Sequence, residues 1–190
     1  MKKVFTKLMA IAIAATVLVG CQKQPEASFT TDKTSYTAGE TVKLTNTTVN
    51  GDSYKWTFPD GQTGTVENYD YSLPTTLSDA SLTFKLEAFS KNKKKVNEIS
   101  KTVTVKAATG NVIFWQELGS GYDVTAVQVN GVTSNITSEL GSAPNCSETG
   151  CAVFNGLKVG TYNYTASDGN AVWSGTINIT KNVCLTVKLQ

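Results

Sequence analysis

Leu82, Phe84, Leu86 and Ala88 alternate with other residues in the clearest period-two run of the chain, and Ile99, Val103 and Val105 share one parity of their own in the next apolar segment. One apolar side chain every second residue is the repeat of a half-buried β-strand, and residues 27–106 hold no long 3.6-residue amphipathic pattern. Val42 and Leu44 alternate with threonine and lysine, and Tyr54, Trp56 and Phe58 share a face. Turn residues punctuate these runs, so the pattern predicts an all-β fold of short antiparallel strands packed as two sheets.

Past Lys106–Gly110 the composition shifts: lysines become scarce, Cys146, Cys151 and Cys184 appear, and glycines separate shorter segments. That shift predicts a second sandwich, giving two tandem domains at residues 27–107 and 108–190. Ala152, Phe154 and Leu157 precede a turn at Gly160, after which Tyr162, Tyr164 and Ala166 present one face. Ile177 and Ile179 lead through Lys181 and Asn182 into Val183, Leu185, Val187 and Leu189, a spacing that predicts a C-terminal hairpin.

Residues 1–20 have a lysine-bearing start followed by the apolar stretch Leu8–Val19. Twelve helical residues rise about 18 Å, short of the roughly 30 Å hydrocarbon core, so the segment reads as a cleaved signal peptide rather than a spanning helix. Leu18, Val19, Gly20 and Cys21 resemble the lipobox of bacterial lipoproteins. The resemblance implies acylation (palmitate-type) of Cys21, cleavage just before it, and a membrane-anchored protein. Gln22 does not resemble the aspartate that retains some lipoproteins at the inner membrane, so the outer membrane is the expected site, at its periplasmic face or the cell surface. Residues 21–26 form a short polar linker. Cys21 to Phe29 reaches at most about 28 Å, so the first domain is expected close to the bilayer.

"YKWTFPDGQ", Tyr54 to Gln62, followed by "NYDY" ending in Tyr71, resembles the PKD domain, an immunoglobulin-like sandwich. The likeness runs over about eighty residues, and the strand before it, within "FTTDKTSYTAGETVKLTNTT", fits as well. It implies that Trp56 is the core indole and that Asp60 belongs to a turn. Pro59 replaces the family's first turn glycine, and its fixed φ suits the second position of a turn ahead of Asp60 and Gly61. The segment "SLPTTLSDAS" is longer than the usual connection and blurs the alignment of the strand beside it. "KNKKK", Lys91 to Lys95, lies between two strands and reads as a solvated hairpin tip.

"GCAVFNGLKVGTYNYTA", Gly150 to Ala166, with the closing strand that ends in Leu189, resembles the carboxypeptidase regulatory-like or transthyretin-like sandwich. The resemblance implies a stability or interaction module without a peptidase site. An exported chain favours oxidation, and Cys146, Cys151 and Cys184 allow three pairings with one thiol left over. Closure of the Cys146–Cys184 loop restrains the unfolded chain more than closure of the Cys146–Cys151 ring, and sequence does not choose between them. The alternation places Cys151 and Cys184 off the apolar faces.

The sequence contains neither histidine nor arginine, so all 17 cations are lysines. Mechanisms that need an imidazole base or ligand are therefore closed to this chain, and the planar guanidinium fork is absent. Removal of Lys2, Lys3 and Lys7 with the signal leaves 14 lysines against 15 acids, a nearly neutral chain whose net charge gives no basis for electrostatic capture of nucleic acid or anionic lipid. No cofactor, metal or catalytic residue is expected. The expected function is a non-catalytic envelope lipoprotein whose two sandwiches bind a polysaccharide or protein ligand or act as a spacer. Trp115, Tyr122 and Trp173 are the candidates for stacking on sugar rings. The alternative is a carboxylate-dependent glycan-processing enzyme or accessory, for which the spacing of Asp60, Asp70, Asp123 and Asp168 singles out no pair.

Overall fold

A computed structural model describes residues 23–121 and 123–189; the signal segment, Cys21 and Tyr122 lie outside the described residues. Strand is the regular structure throughout them, as the alternation requires. The first part contains β1 (Phe29–Thr31), β2 (Ser35–Thr37), β3 (Thr41–Asn46), β4 (Ser53–Thr57), β5 (Thr63–Gly64), β6 (Tyr69–Ser72), β7 (Ala80–Phe89) and β8 (Val96–Lys106). The second contains β9 (Thr109–Gln116), β10 (Ala126–Val129), β11 (Val132–Asn135), β12 (Ala152–Lys158), β13 (Gly160–Ser167), β14 (Val172–Ile179) and β15 (Cys184–Leu189).

In the first sandwich a three-stranded sheet in the order β1-β3-β6 faces a five-stranded sheet in the order β2-β8-β7-β4-β5. The chain switches between the two sheets several times, with β4–β5 and β7–β8 as hairpins inside the larger one, and β2 lies parallel to β8, which is an immunoglobulin-like arrangement. Phe84, Leu86, Ala88, Val103 and Val105 are buried, as their parity predicts. Trp56 is fully enclosed, its indole Nε1 donates to the Val66 carbonyl at 3.0 Å, and its ring meets Phe29 edge-on with centroids 5.0 Å apart. Pro59 and Asp60 fill the middle of a tight turn: Gly61 N–H donates to Phe58 C=O at 2.9 Å, and Asp60 accepts from the Gln62 amide at 3.0 Å. "NYDY" supplies β6, on the opposite sheet from the Leu82 strand. The extra residues after Tyr71 therefore form the crossover between sheets.

Tyr36 ties the edge strand β2 to the loop before it. Its hydroxyl donates to Asp32 at 2.7 Å and accepts from the Lys33 amide at 3.1 Å. Burial, reinforced by the Asp32 bond, pushes the phenol up to about 12. Asp32 moves the other way, held down chiefly by the Tyr36 hydroxyl and then by the Lys43 amide. A raised phenol stabilises the fold below the unfolded value near 10, and that contribution is lost as pH rises through the folded value. Ultraviolet titration of the tyrosines is thus expected to show one phenol ionising near pH 12, well after the exposed ones. In Asp32→Asn this late phase is expected to move towards the ordinary value; an unchanged titration would contradict the pairing.

The second sandwich packs a four-stranded sheet, β11-β10-β13-β14, on a three-stranded one, β12-β9-β15. The two-residue Asn130–Gly131 turn joins β10 to β11 with both residues at positive φ, the geometry that matches the twist of a tight hairpin. The C-terminal strands do not form the expected hairpin: β14 pairs with β13, whereas β15 crosses over and runs parallel to β9. Two strands that face one core from opposite sheets carry the same alternation as two partners in one sheet, so the local pattern cannot separate an arch from a hairpin. The arch also leaves Val183 exposed, although it shares the parity of Leu185, Val187 and Leu189. β12 and β13 likewise belong to opposite sheets, with the break at Lys158–Gly160.

Only Ala107 and Ala108 separate β8 from β9. The long crossover segment, Thr75 to Ser78, rests beside them together with Lys158 and Val159. Val159 packs on the first core and its amide donates to Ala108 C=O at 2.9 Å. Lys181, in the arch between β14 and β15, donates its ammonium to Ala38 C=O at 2.8 Å. The residues that looked superfluous in the sequence thus line the junction between the two sandwiches.

Candidate functional site

The strands of the second sandwich fix which end of the molecule is which. Thr109, Gly160 and Lys181 lie at the junction, so Gln116, Ala166, Trp173 and Leu189 lie at the far end. There β14 and β15 are the free edges of their two sheets, and a recess of about 250 Å³ opens between them. Val124, Ala166 and Leu189 supply its apolar floor, Tyr164 and Trp173 its aromatic walls, and Ser174 and Lys188 its polar rim.

Local backbone chemistry sets both aromatics. Tyr164 lies directly opposite Gly175 across the β13–β14 ladder, where a Cβ would sit 2.7 Å from the phenol ring. The missing side chain lets the ring lie flat over β14, and it leans on Phe114 at 4.8 Å between centroids. Trp173 enters β14 directly after a turn held by Asp168, which accepts from the amides of Ala171 at 2.7 Å and Asn170 at 2.8 Å. Those two bonds, Ala171 first, hold the Asp168 carboxyl below its ordinary range. Trp173 is half-buried, packed on the second core along one part of its ring system.

Trp115 is placed differently from the expectation of an open stacking surface. It is 6% exposed, on the outer face of β9, where Ile113, Leu140, Val153 and all three cysteines form a second small apolar cluster. Lys188 caps the indole, its ammonium 5.7 Å from the ring centroid, and also pairs with Glu117. A ring covered in this way offers no face to a sugar. The loop that covers it is fastened by a disulfide between Cys146 and Cys184, whose Cα atoms are 6.1 Å apart. Cys151, expected off the apolar faces, is a buried free thiol in this cluster, and burial first, Glu148 second, pushes its pKa up. Period-two alternation assigns each residue to one core, and here the outer face has a core of its own. Tyr122 lies outside the described residues.

The acids do not converge. Asp60 and Asp168 are engaged by amides of their own turns, Asp70 is exposed on β6 opposite Lys43, and Asp123 is exposed in the loop before β10. Glu117 pairs with Lys188, and Glu139 accepts from the Gly119 amide at 3.0 Å. Among the described residues no three of His, Cys, Asp and Glu gather as a metal-holding group. What the recess can do chemically is bind: an aromatic face, an apolar floor and a hydroxyl at the rim, beside a lysine whose ammonium is already paired with Glu117, suit a ligand with both CH and OH surfaces.

No family model matches the chain, and no curated protein matches it. Among solved structures it is similar to the PKD1 domain of Vibrio anguillarum Epp, at 21% identity over 45% of this chain and 96% of that one, with a TM-score of 0.37. It is also similar to the PKD1 domain of the Vibrio cholerae metalloprotease PrtV, at 24% identity over 44% of this chain and 99% of that one, with a TM-score of 0.36. A third is a carbohydrate-binding module of the β-sandwich superfamily, at 16% identity over 76% of this chain and 55% of that one, with a TM-score of 0.42.

Proposed function

We propose that the chain is a non-catalytic binding module of the bacterial envelope, lipid-anchored through Cys21 at the outer membrane, whose second sandwich takes a glycan at the Tyr164–Trp173 recess. Residues 27–107 and 108–190 are its two domains. One observation carries the reading: the chain enters at one end and the recess opens at the other. Gln24 Nε2 donates to Val96 C=O and Ala27 N–H to Asn97 Oδ1, so the N-terminal linker is held at the start of β8. From Val96 through Gln116 the chain runs away from that point along two successive strands, covering at most about 66 Å. A tether at Cys21 then displays the recess on the side away from the membrane.

A Trp face covers the apolar CH patch of a sugar ring, and truncation of a central aromatic in a binding site typically costs tenfold or more. The test is titration of the acylated chain, held in detergent, against a glycan array, with Trp173→Ala beside it. Trp173→Ala is expected to weaken binding by at least about tenfold while the chain stays folded, with the unfolding midpoint of the second sandwich only modestly lowered by the lost packing. Equal binding by the variant, or no glycan bound by either protein, would overturn the glycan reading. Intact mass showing an unmodified Cys21 would overturn the anchor.

A further inference from the structure

The end of the first sandwich that holds the linker also carries a cluster of five lysines, with the exposed acids Glu26 and Asp52 beside it. Lys91, Lys93 and Lys94 are exposed and Lys95 is half-buried on the tip between β7 and β8, with exposed Lys23 beside it on the linker. The tip is rigid: Lys93 N–H donates to Ser90 C=O at 2.7 Å, and Ser90 N–H to Lys95 C=O at 2.9 Å. The enclosed Ser90 hydroxyl accepts from the Lys95 amide at 3.0 Å, and Asn92 Oδ1 accepts from the Lys94 amide at 3.0 Å. The lysines are therefore displayed as a fixed group rather than on a floppy loop.

Two further features share that end. Val49, Val66 and Val96 stand exposed around it, at 54, 55 and 49%. Beside the tip a recess of about 460 Å³ is lined by Tyr54 and Phe89 with Lys55 and Lys93 at its mouth, apolar below and cationic above. At the opposite end of the molecule Glu117, Asp123, Glu139 and Asp168 lie in the loops, with Lys188 the cation among them and already paired to Glu117. The lysine end keeps an excess of cations over Glu26 and Asp52, and the far end has an excess of acids, so the nearly neutral chain is polarised along its length.

We infer that the β7–β8 lysine tip and its recess form a second contact with the membrane, one made to the headgroups of anionic phospholipid. The inference rests on the Cys21 anchor proposed above. Two residues separate Cys21 from the held Gln24, three chain steps that reach at most about 11 Å, so an acylated Cys21 keeps Gln24, and the tip that follows on from its partner Val96, close to the bilayer surface. Lysines at that distance from anionic lipid are each attracted, and the valines between them meet the interface. The acidic far end feels the same field only when the rod lies down and brings it within a Debye length (~10 Å) of the surface, where it is repelled. Together the two ends orient the rod with its glycan recess outward, where a single flexible tether would leave it free to lie down.

The test uses the acylated full chain in vesicles of phosphatidylcholine alone or of equimolar phosphatidylcholine and phosphatidylglycerol, with lysine acetylation read site by site by mass spectrometry. At low salt, labelling of Lys91, Lys93 and Lys94 is expected to fall about threefold in the anionic vesicles relative to the neutral ones, with Lys158 unchanged, and to recover in about 1 M salt. The variant K91Q/K93N/K94Q, which keeps an αL-tolerant residue at position 93, is expected to abolish the lipid-dependent protection of Lys23. Equal labelling in both vesicles, while the chain still floats with each, overturns the tip contact and leaves the anchor standing. A chain that floats with neither overturns both.

Discussion

Trp56→Ala is expected to destabilise the first sandwich by about 4 kcal/mol, the upper range for removing a large enclosed side chain. Three losses coincide at this site. The indole is fully buried, so its removal leaves a cavity that the surrounding β-sheets cannot collapse around. The edge contact with Phe29 goes with it, and Phe29 belongs to β1, a three-residue strand whose packing depends on such contacts. The Val66 carbonyl loses the Nε1 donor that partners it. Trp56→Phe separates these effects, since it refills most of the volume and restores no donor; a loss of about 2 kcal/mol is expected. Urea unfolding followed by far-ultraviolet circular dichroism measures both. A loss below about 1 kcal/mol for the alanine variant would show that the indole is not the centre of this core.

Removal of the Cys146–Cys184 bond is expected to cost the second sandwich a comparable amount. The bond closes a loop with a sequence separation of 38, for which the chain-entropy model gives about 4 kcal/mol. Its location makes the loss larger in function than in fold. The bond fastens the loop that covers the outer face of β9 and thereby encloses Trp115, and it holds the first residue of the free edge strand β15. The variant to measure is C146S/C184S, because Cys146→Ser alone leaves Cys184 packed in the same cluster as the Cys151 thiol, where a replacement bond can form. The double variant is expected to show a lower urea midpoint, the difference vanishing when both proteins are measured under reducing conditions. An unchanged midpoint would mean that the unfolded chain is already restrained without the bond.

The first sandwich was legible in the sequence because its signals are local. Trp56, the Pro59–Asp60 turn and the Leu82–Ala88 alternation each state their own environment within a few residues. The second was legible as strands and not as topology. Sheet membership of β14 and β15 is decided by which partner each finds across the core, and nothing in Ile177–Leu189 encodes that choice. The burial of Trp115 had a readable sign that alternation hides: "VIFW", Val112 to Trp115, is an unbroken apolar run, and such a run marks a strand covered on both faces. The Asn130–Gly131 pair was an equally plain hairpin signal. The recess was half legible, since Trp173 stands in a turn-rich stretch, whereas Tyr164 reads as one of several inward residues until Gly175 is seen opposite it.

The parallel ladder between β2 and β8 has a mechanical consequence. In a chain anchored at Cys21 and loaded at the proposed recess, Ser35–Thr37 would be drawn back toward the anchor, while β8 continues through two alanines into the second sandwich. A pull on the far end therefore slides these two segments past each other. Their hydrogen bonds, together with those from Ala38 to Lys106 and from Thr104 to Thr34, lie across the direction of the load and must yield together rather than in succession. Under such a load a three-residue strand at the margin of a sheet would act as a shear clamp between the two ends of the molecule.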